Sequence, residues 1–176
     1  MEAAGQSTQS FMDNLSDRER KFLTFSLGGE EYGIEILQIK EIIGMMPITS
    51  VPRTPKFFKG VINLRGKVIP VVDLRLRFGM EEKDYTPQTC IVVVEVNKDG
   101  GTETIGVVVD SVSEVVNIKP EETEDPPAFG NMVDTQFISG IAKTDGGVKI
   151  LLDIRKVLGI NDEDGNGMHV ETREPI

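Results

Sequence analysis

One pattern is written twice along this chain, and that limits its fold more than any other feature. YGIEILQIKEII, Tyr32 to Ile43, returns as IGVVVDSVSEVV, Ile105 to Val116, with Gly33 matching Gly106 and Glu41 matching Glu114. GVINLRGKVIPVVDLR, Gly60 to Arg75, returns as GIAKTDGGVKILLDIR, Gly140 to Arg155. Gly60, Gly66, Val68, Asp73 and Arg75 recur there as Gly140, Gly146, Val148, Asp153 and Arg155. A unit of about 70 residues is near the size at which a lone core becomes marginal, so the copies are expected to bury surface against each other. The body runs over 21–160, with unit one at about 21–80 and unit two at about 88–160. Residues 1–20 read as a mobile polar segment and 161–176 as a mobile acidic tail.

Each copy opens with a strand pattern, FLTFSL or CIVVVEV, and a glycine-containing turn into a return strand. The second turn, through Asp99, Gly100 and Gly101, is read as the longer loop. A polar turn and a short apolar strand follow. Pro47, Pro52 and Pro55 exclude a central strand in GMMPITSVPRTPK. Thr54, Pro55 and Gly60 are placed to start and stop a short helix there. A second hairpin turns at Arg65–Gly66, and at Asp145–Gly146 in copy two. DLRLRFG and DIRKVLG then close the copies as helical stubs, with Asp73 and Asp153 as N-caps and Gly79 and Gly159 as left-handed stops. Short strands with tight turns, in units too small for a sandwich, predict a mainly β fold. It would hold two pseudo-symmetric five-stranded barrels around a shared interface core.

Chemistry has little to stand on. The sole histidine, His169, lies in the polar tail, so a histidine base, triad or metal cluster has no foundation. GVINLRGK places five residues between Gly60 and Gly66 and follows Lys67 with Val68, which fails the phosphate-loop pattern. DEDGNG, Asp162 to Gly167, begins like a calcium loop but meets Arg173 where a bidentate Glu is required. Asp73 and Asp153 are explained as caps. No catalytic residue, cofactor site or metal site is assigned, and a β-scaffold hydrolase lacks its base. Cys90 is the only cysteine, which excludes an intrachain disulfide. The net charge of −10 opposes binding to nucleic acid or to an anionic membrane surface. No apolar run approaches the roughly 20 residues of a bilayer span, so no direct membrane insertion is expected. The chain reads as cytoplasmic.

Where the copies diverge, function is sought. Copy one turns through Asn63, Leu64, Arg65 and Gly66; copy two turns through Lys143, Thr144, Asp145 and Gly146. Asp-Gly suffices as a turn, whereas Arg-Gly is not a preferred pair. Arg65 is either a plain exposed charge or a guanidinium kept for a carboxylate partner. Ile36, Ile39 and Ile43 around Glu41 make the other candidate surface. Most of these isoleucines are expected in the core, with one or two left out to meet a partner helix.

EYGIEILQIKEI, VPRTPKFFKGVINLRG, VIPVVDLR and IGVVVDSVSEV together resemble the CheW family of chemotaxis coupling proteins, over about residues 20 to 160. That resemblance implies paired SH3-like β-barrels and an adaptor between the histidine kinase CheA and the cytoplasmic tips of chemoreceptors. It implies that Ile39, Glu41, Asn63, Arg65 and Gly66 face the receptor, and that Phe129 in PPAFG lies near the kinase. Recruitment to membrane receptor arrays, with possible ring or array assembly, follows from the same likeness. No phosphoacceptor, ATP-binding or receiver domain accompanies the body. A coupling protein of a related non-flagellar chemosensory array is the alternative reading.

Overall fold

Alternating apolar residues write the strands, and glycine, Asn and Asp write the turns between them. The computed structural model describes residues 20–126 and 135–159. The strands are β1 (Arg20–Leu27), β2 (Glu30–Glu35), β3 (Ile39–Gly44), β4 (Phe58–Leu64), β5 (Lys67–Asp73), β6 (Cys90–Lys98), β7 (Gly101–Val109), β8 (Ser111–Ile118), β9 (Thr123–Glu124), β10 (Ile138–Thr144) and β11 (Gly147–Leu152). One-turn helices α1 (Leu74–Arg77) and α2 (Ile154–Val157) follow β5 and β11.

The sheets do not coincide with the repeat units. One has the order β8-β1-β2-β11-β10-β9 and the other β3-β6-β7-β5-β4. Each therefore takes its opening hairpin from one copy and its remaining strands from the other. The parallel seams of this exchange are β2 with β11, Tyr32 opposite Ile150, and β7 with β5, Gly106 opposite Val71. The fold is the expected mainly β pair of SH3-like sheets, with a reciprocal hairpin trade. A sixth strand, the two-residue β9, joins one sheet.

The same device brings each sheet's outer strands together. After β3 the chain returns to pair Thr49 with Val61 of β4, N–O 2.8 and 2.9 Å. After β8 it returns as β9 beside β10. Gly60 permits the first closure: at φ 137° it passes so close to Thr49 that an added Cβ would stand 2.0 Å from the Thr49 carbonyl oxygen.

The largest core belongs to both sheets. Leu23, Phe25 and Ile34 from one meet Val92, Val94 and Ile105 from the other, with Leu74 and Ile154 of the helical stubs. Each sheet also keeps an inner cluster of its own, Ile62, Ile69, Ile91 and Val93 in one, Phe22, Ile118 and Leu151 in the other. Arg77 sits between the repeat-equivalent rings of Phe57 and Phe137, 4.7 and 4.8 Å from their centroids. The stubs are capped as expected: Asp73 accepts from the Arg75 and Leu76 amides and Asp153 from that of Lys156, while Gly79 and Gly159 have φ of 80° and 79°.

Two sequence expectations need correction. No helix follows Thr54, whose hydroxyl donates to the Val51 carbonyl at 2.9 Å. Residues 51–57 form turns and β4 begins at Phe58, so Gly60 marks a close backbone approach inside a strand rather than a helix stop. Nor is the second opening loop longer. Leu27 pairs with Glu30 and Lys98 with Gly101, so both turns have two residues and the extra residues of copy two lengthen its strands.

Candidate protein-binding site

The two surfaces singled out in the sequence meet. Arg65, on the β4–β5 turn, points its guanidinium back to Glu41 of β3, and Nη2 donates to Glu41 Oε2. The backbone sets the geometry. Arg65 has φ 52° and Gly66 φ 87°, the doubly left-handed form that suits a two-residue hairpin. Asn63 locks it, its Oδ1 accepting from the Gly66 amide at 2.8 Å. A bulky non-glycine residue in this region is strained, and Arg53, φ 63°, is held in the same region. The copy-two turn avoids the strain: there only Gly147, φ 113°, is left-handed, and Asp145 is not.

The ion pair is an outside feature. The Arg65 side chain is 67% exposed and that of Glu41 26%, so the pair contributes little to stability. The remaining guanidinium donors are available to an acceptor on another molecule. In copy two the corresponding positions carry Glu114 and Asp145, two acids, and no such pair forms.

Ile39 does not join this cluster. A bulge at Lys40 shifts the register, so Ile39 lies opposite Val94 and Ile42 opposite Val92, both of the shared core, whereas Glu41 lies opposite Val93 and Ile43 opposite Ile91. Ile39 and Ile42 thus share the face toward the other sheet, and Glu41 shares the opposite face with Ile43. Ile39 is half-buried against the shared core, but Ile42 is 42% exposed. Its repeat equivalent, Val115 of β8, opposite Leu23, is 50% exposed. Ile42 and Val115 form matched apolar rims flanking the shared core. The repeat alignment pairs them, yet alternation could not expose them, because the bulge is not written in residue types. Phe129, His169 and the Asp162–Gly167 stretch lie outside the described residues.

Among the described residues no group of three or more His, Cys, Asp or Glu is placed to hold a metal ion, and no helix is long and apolar enough to cross a membrane. Cys90 is half-buried, its thiol directed at the Gln88 carbonyl.

Two sheets locked by traded hairpins, with a strained arginine turn and exposed apolar rims, define a β-rich fold of the scaffold class. The CheW-like domain model matches residues 21–161, and the chain belongs to the CheW-like family. It is 38% identical over 139 residues to the chemotaxis protein CheW of Klebsiella aerogenes, covering 79% of this chain and 81% of that one. Thermotoga maritima chemotaxis protein CheW is 32% identical over 151 residues, 84% and 94% of the two chains. Protein FrzA of Myxococcus xanthus is 30% identical over 142 residues, 80% and 86%. The crystal structure of scaffolding protein TtCheW from Thermoanaerobacter tengcongensis matches with a TM-score of 0.71 at 38% identity, over 81% of this chain and 94% of that one.

Proposed function

We propose that this chain is a non-catalytic cytoplasmic adaptor that couples the cytoplasmic tips of chemoreceptors to a CheA-type histidine kinase and is recruited with them to membrane receptor arrays. The observation that carries the reading is the strained Arg65 turn joined to Glu41. A turn that needs only Asn-Gly or Asp-Gly holds a costly arginine whose ion pair adds little stability, so the charge serves recognition. Receptor contact is assigned to Ile39, Glu41, Asn63, Arg65 and Gly66, and we add Ile42 and Val115. Exposed apolar rims suit an amphipathic helix, and the charged cluster, on the opposite face of β3, offers a separate polar contact. Phe129 is assigned to the kinase contact. Each interface need bury less than about 1,200 Å², because assembly into rings or arrays multiplies weak contacts.

The test is co-sedimentation of the purified full chain with a receptor cytoplasmic fragment and the kinase, with kinase activity followed. Glu41→Arg sets two cations side by side and is expected to weaken coupling at least about tenfold, with the thermal midpoint nearly unchanged. Full binding and full kinase activation by this variant would remove the site assignment.

A further inference from the structure

Duplication creates a pairing problem. A hairpin of the β1–β2 type is shaped to lie beside a strand of the β5 type, and the chain contains two of each. In the structure β2 lies beside β11 and β7 beside β5, never each beside the strand of its own copy. One residue before the paired positions, the two seams differ in kind. At the β2–β11 seam Glu31 faces Lys149, Oε1 to Nζ 3.8 Å. At the β7–β5 seam the equivalent residues are Thr104 and Ile69, both buried and neither charged. Lys149 is only 6% exposed, at a position where copy one holds an isoleucine.

This ion pair is badly built for stability. Its separation exceeds hydrogen-bond reach, and Glu31 Oε1 is buried without a hydrogen-bond partner. Only the other carboxylate oxygen is served, accepting from the Ser113 hydroxyl at 3.2 Å. Taking most of a lysine side chain out of water for so loose a partner gains nothing over a packed apolar side chain.

We propose that Glu31 and Lys149 select the exchanged topology. If each hairpin packed against its own copy, Glu31 would lie against Ile69 and Thr104 against Lys149, leaving two seam charges without a counter-charge. Stranding the Lys149 ammonium alone disfavours that arrangement on the order of a hundredfold. With the traded hairpins each charge finds its opposite and each neutral residue a neutral neighbour. A trade between two chains would keep the same neighbours, so the pair specifies which strands meet and not how many chains take part.

The test compares the full chain with E31T/K149I, which copies the Thr104–Ile69 seam, and with K149I alone, which leaves Glu31 without a seam counter-charge in both arrangements. Each is unfolded in urea, refolded and read by NMR. Wild type is expected to give one set of cross-strand contacts, Tyr32 to Ile150 and Ile105 to Pro70. Both variants are expected to fold and to show a second set, Tyr32 to Pro70 and Ile105 to Ile150, its share raised on the order of a hundredfold. The charge-exchanged E31K/K149E is expected to return to one set. The proposal is overturned if both variants refold to the native contacts alone. It is equally overturned if neither folds, since the pair would then be needed for stability.

Discussion

Replacing Arg65 by Asn separates what the turn needs from what the surface needs. Arg65 holds φ 52° beside Gly66 at 87°. Asn tolerates the left-handed region far better, and Asn-Gly is the favoured pair for this turn, a relief of about 0.5–1 kcal/mol. The substitution also removes the ion pair with Glu41. Because the arginine side chain is 67% exposed, that loss is about 0.2–1 kcal/mol. The two nearly cancel, so Arg65→Asn should stay within about 0.5 kcal/mol of wild type. Arg65→Ala loses the pair and keeps the strain, and should fall about 0.5–1 kcal/mol below the Asn variant. With a urea m-value of about 2 kcal/mol/M the two midpoints differ by roughly 0.3–0.5 M, which is readily measured. Both variants should lose receptor and kinase co-sedimentation to the same degree. An Ala variant more stable than the Asn variant would refute the strain argument, and an Asn variant with undiminished binding would refute the recognition argument.

Gly60→Ala should cost about 3–5 kcal/mol, from backbone strain and the loss of the two Thr49–Val61 hydrogen bonds. Gly140→Ala, where an added Cβ meets the Thr123 methyl at 2.7 Å, should cost only about 1–2 kcal/mol; equal shifts in urea midpoint would show that closure at Thr49 does not depend on glycine. The Tyr85 hydroxyl donates to Asp73 Oδ2 at 3.3 Å, and its pKa is raised first by burial and then by the Asp73 charge. A group with a raised folded-state pKa stabilises fully below its unfolded value and progressively less above it, so the melting midpoint should fall as pH rises past about 10. Tyr85→Phe should flatten that fall in part, since the Tyr32 pKa is raised too; an unchanged slope would exclude Tyr85 as its source.

The repeat was legible residue by residue because caps and turns are local. Asp73 and Asp153 lie beside the amides they serve, and the Arg65–Gly66 turn needs only its neighbours. Hairpin exchange was not legible, because period-two alternation states which face a residue occupies and not which strand lies beside it. Gly60 was misread for the same reason: its neighbour Thr49 is distant in the register and invisible in local sequence. Of the candidate site, Arg65 is found from where the copies part company and Glu41 from the isoleucines that flank it, but their meeting across 24 residues required the folded sheet. The separation of Ile39 from Glu41 depends on the bulge at Lys40, and no residue type there announces it.

The traded hairpins also govern how the molecule carries a load. A chain whose halves were joined by a single tether would let them swing. Here the chain crosses between the sheets twice, from β2 to β3 and from β7 to β8, and both sheets line one core, so any tilt between the lobes must disturb that packing. Partners that grip the two lobes would thus be joined through packed side chains rather than through a single tether.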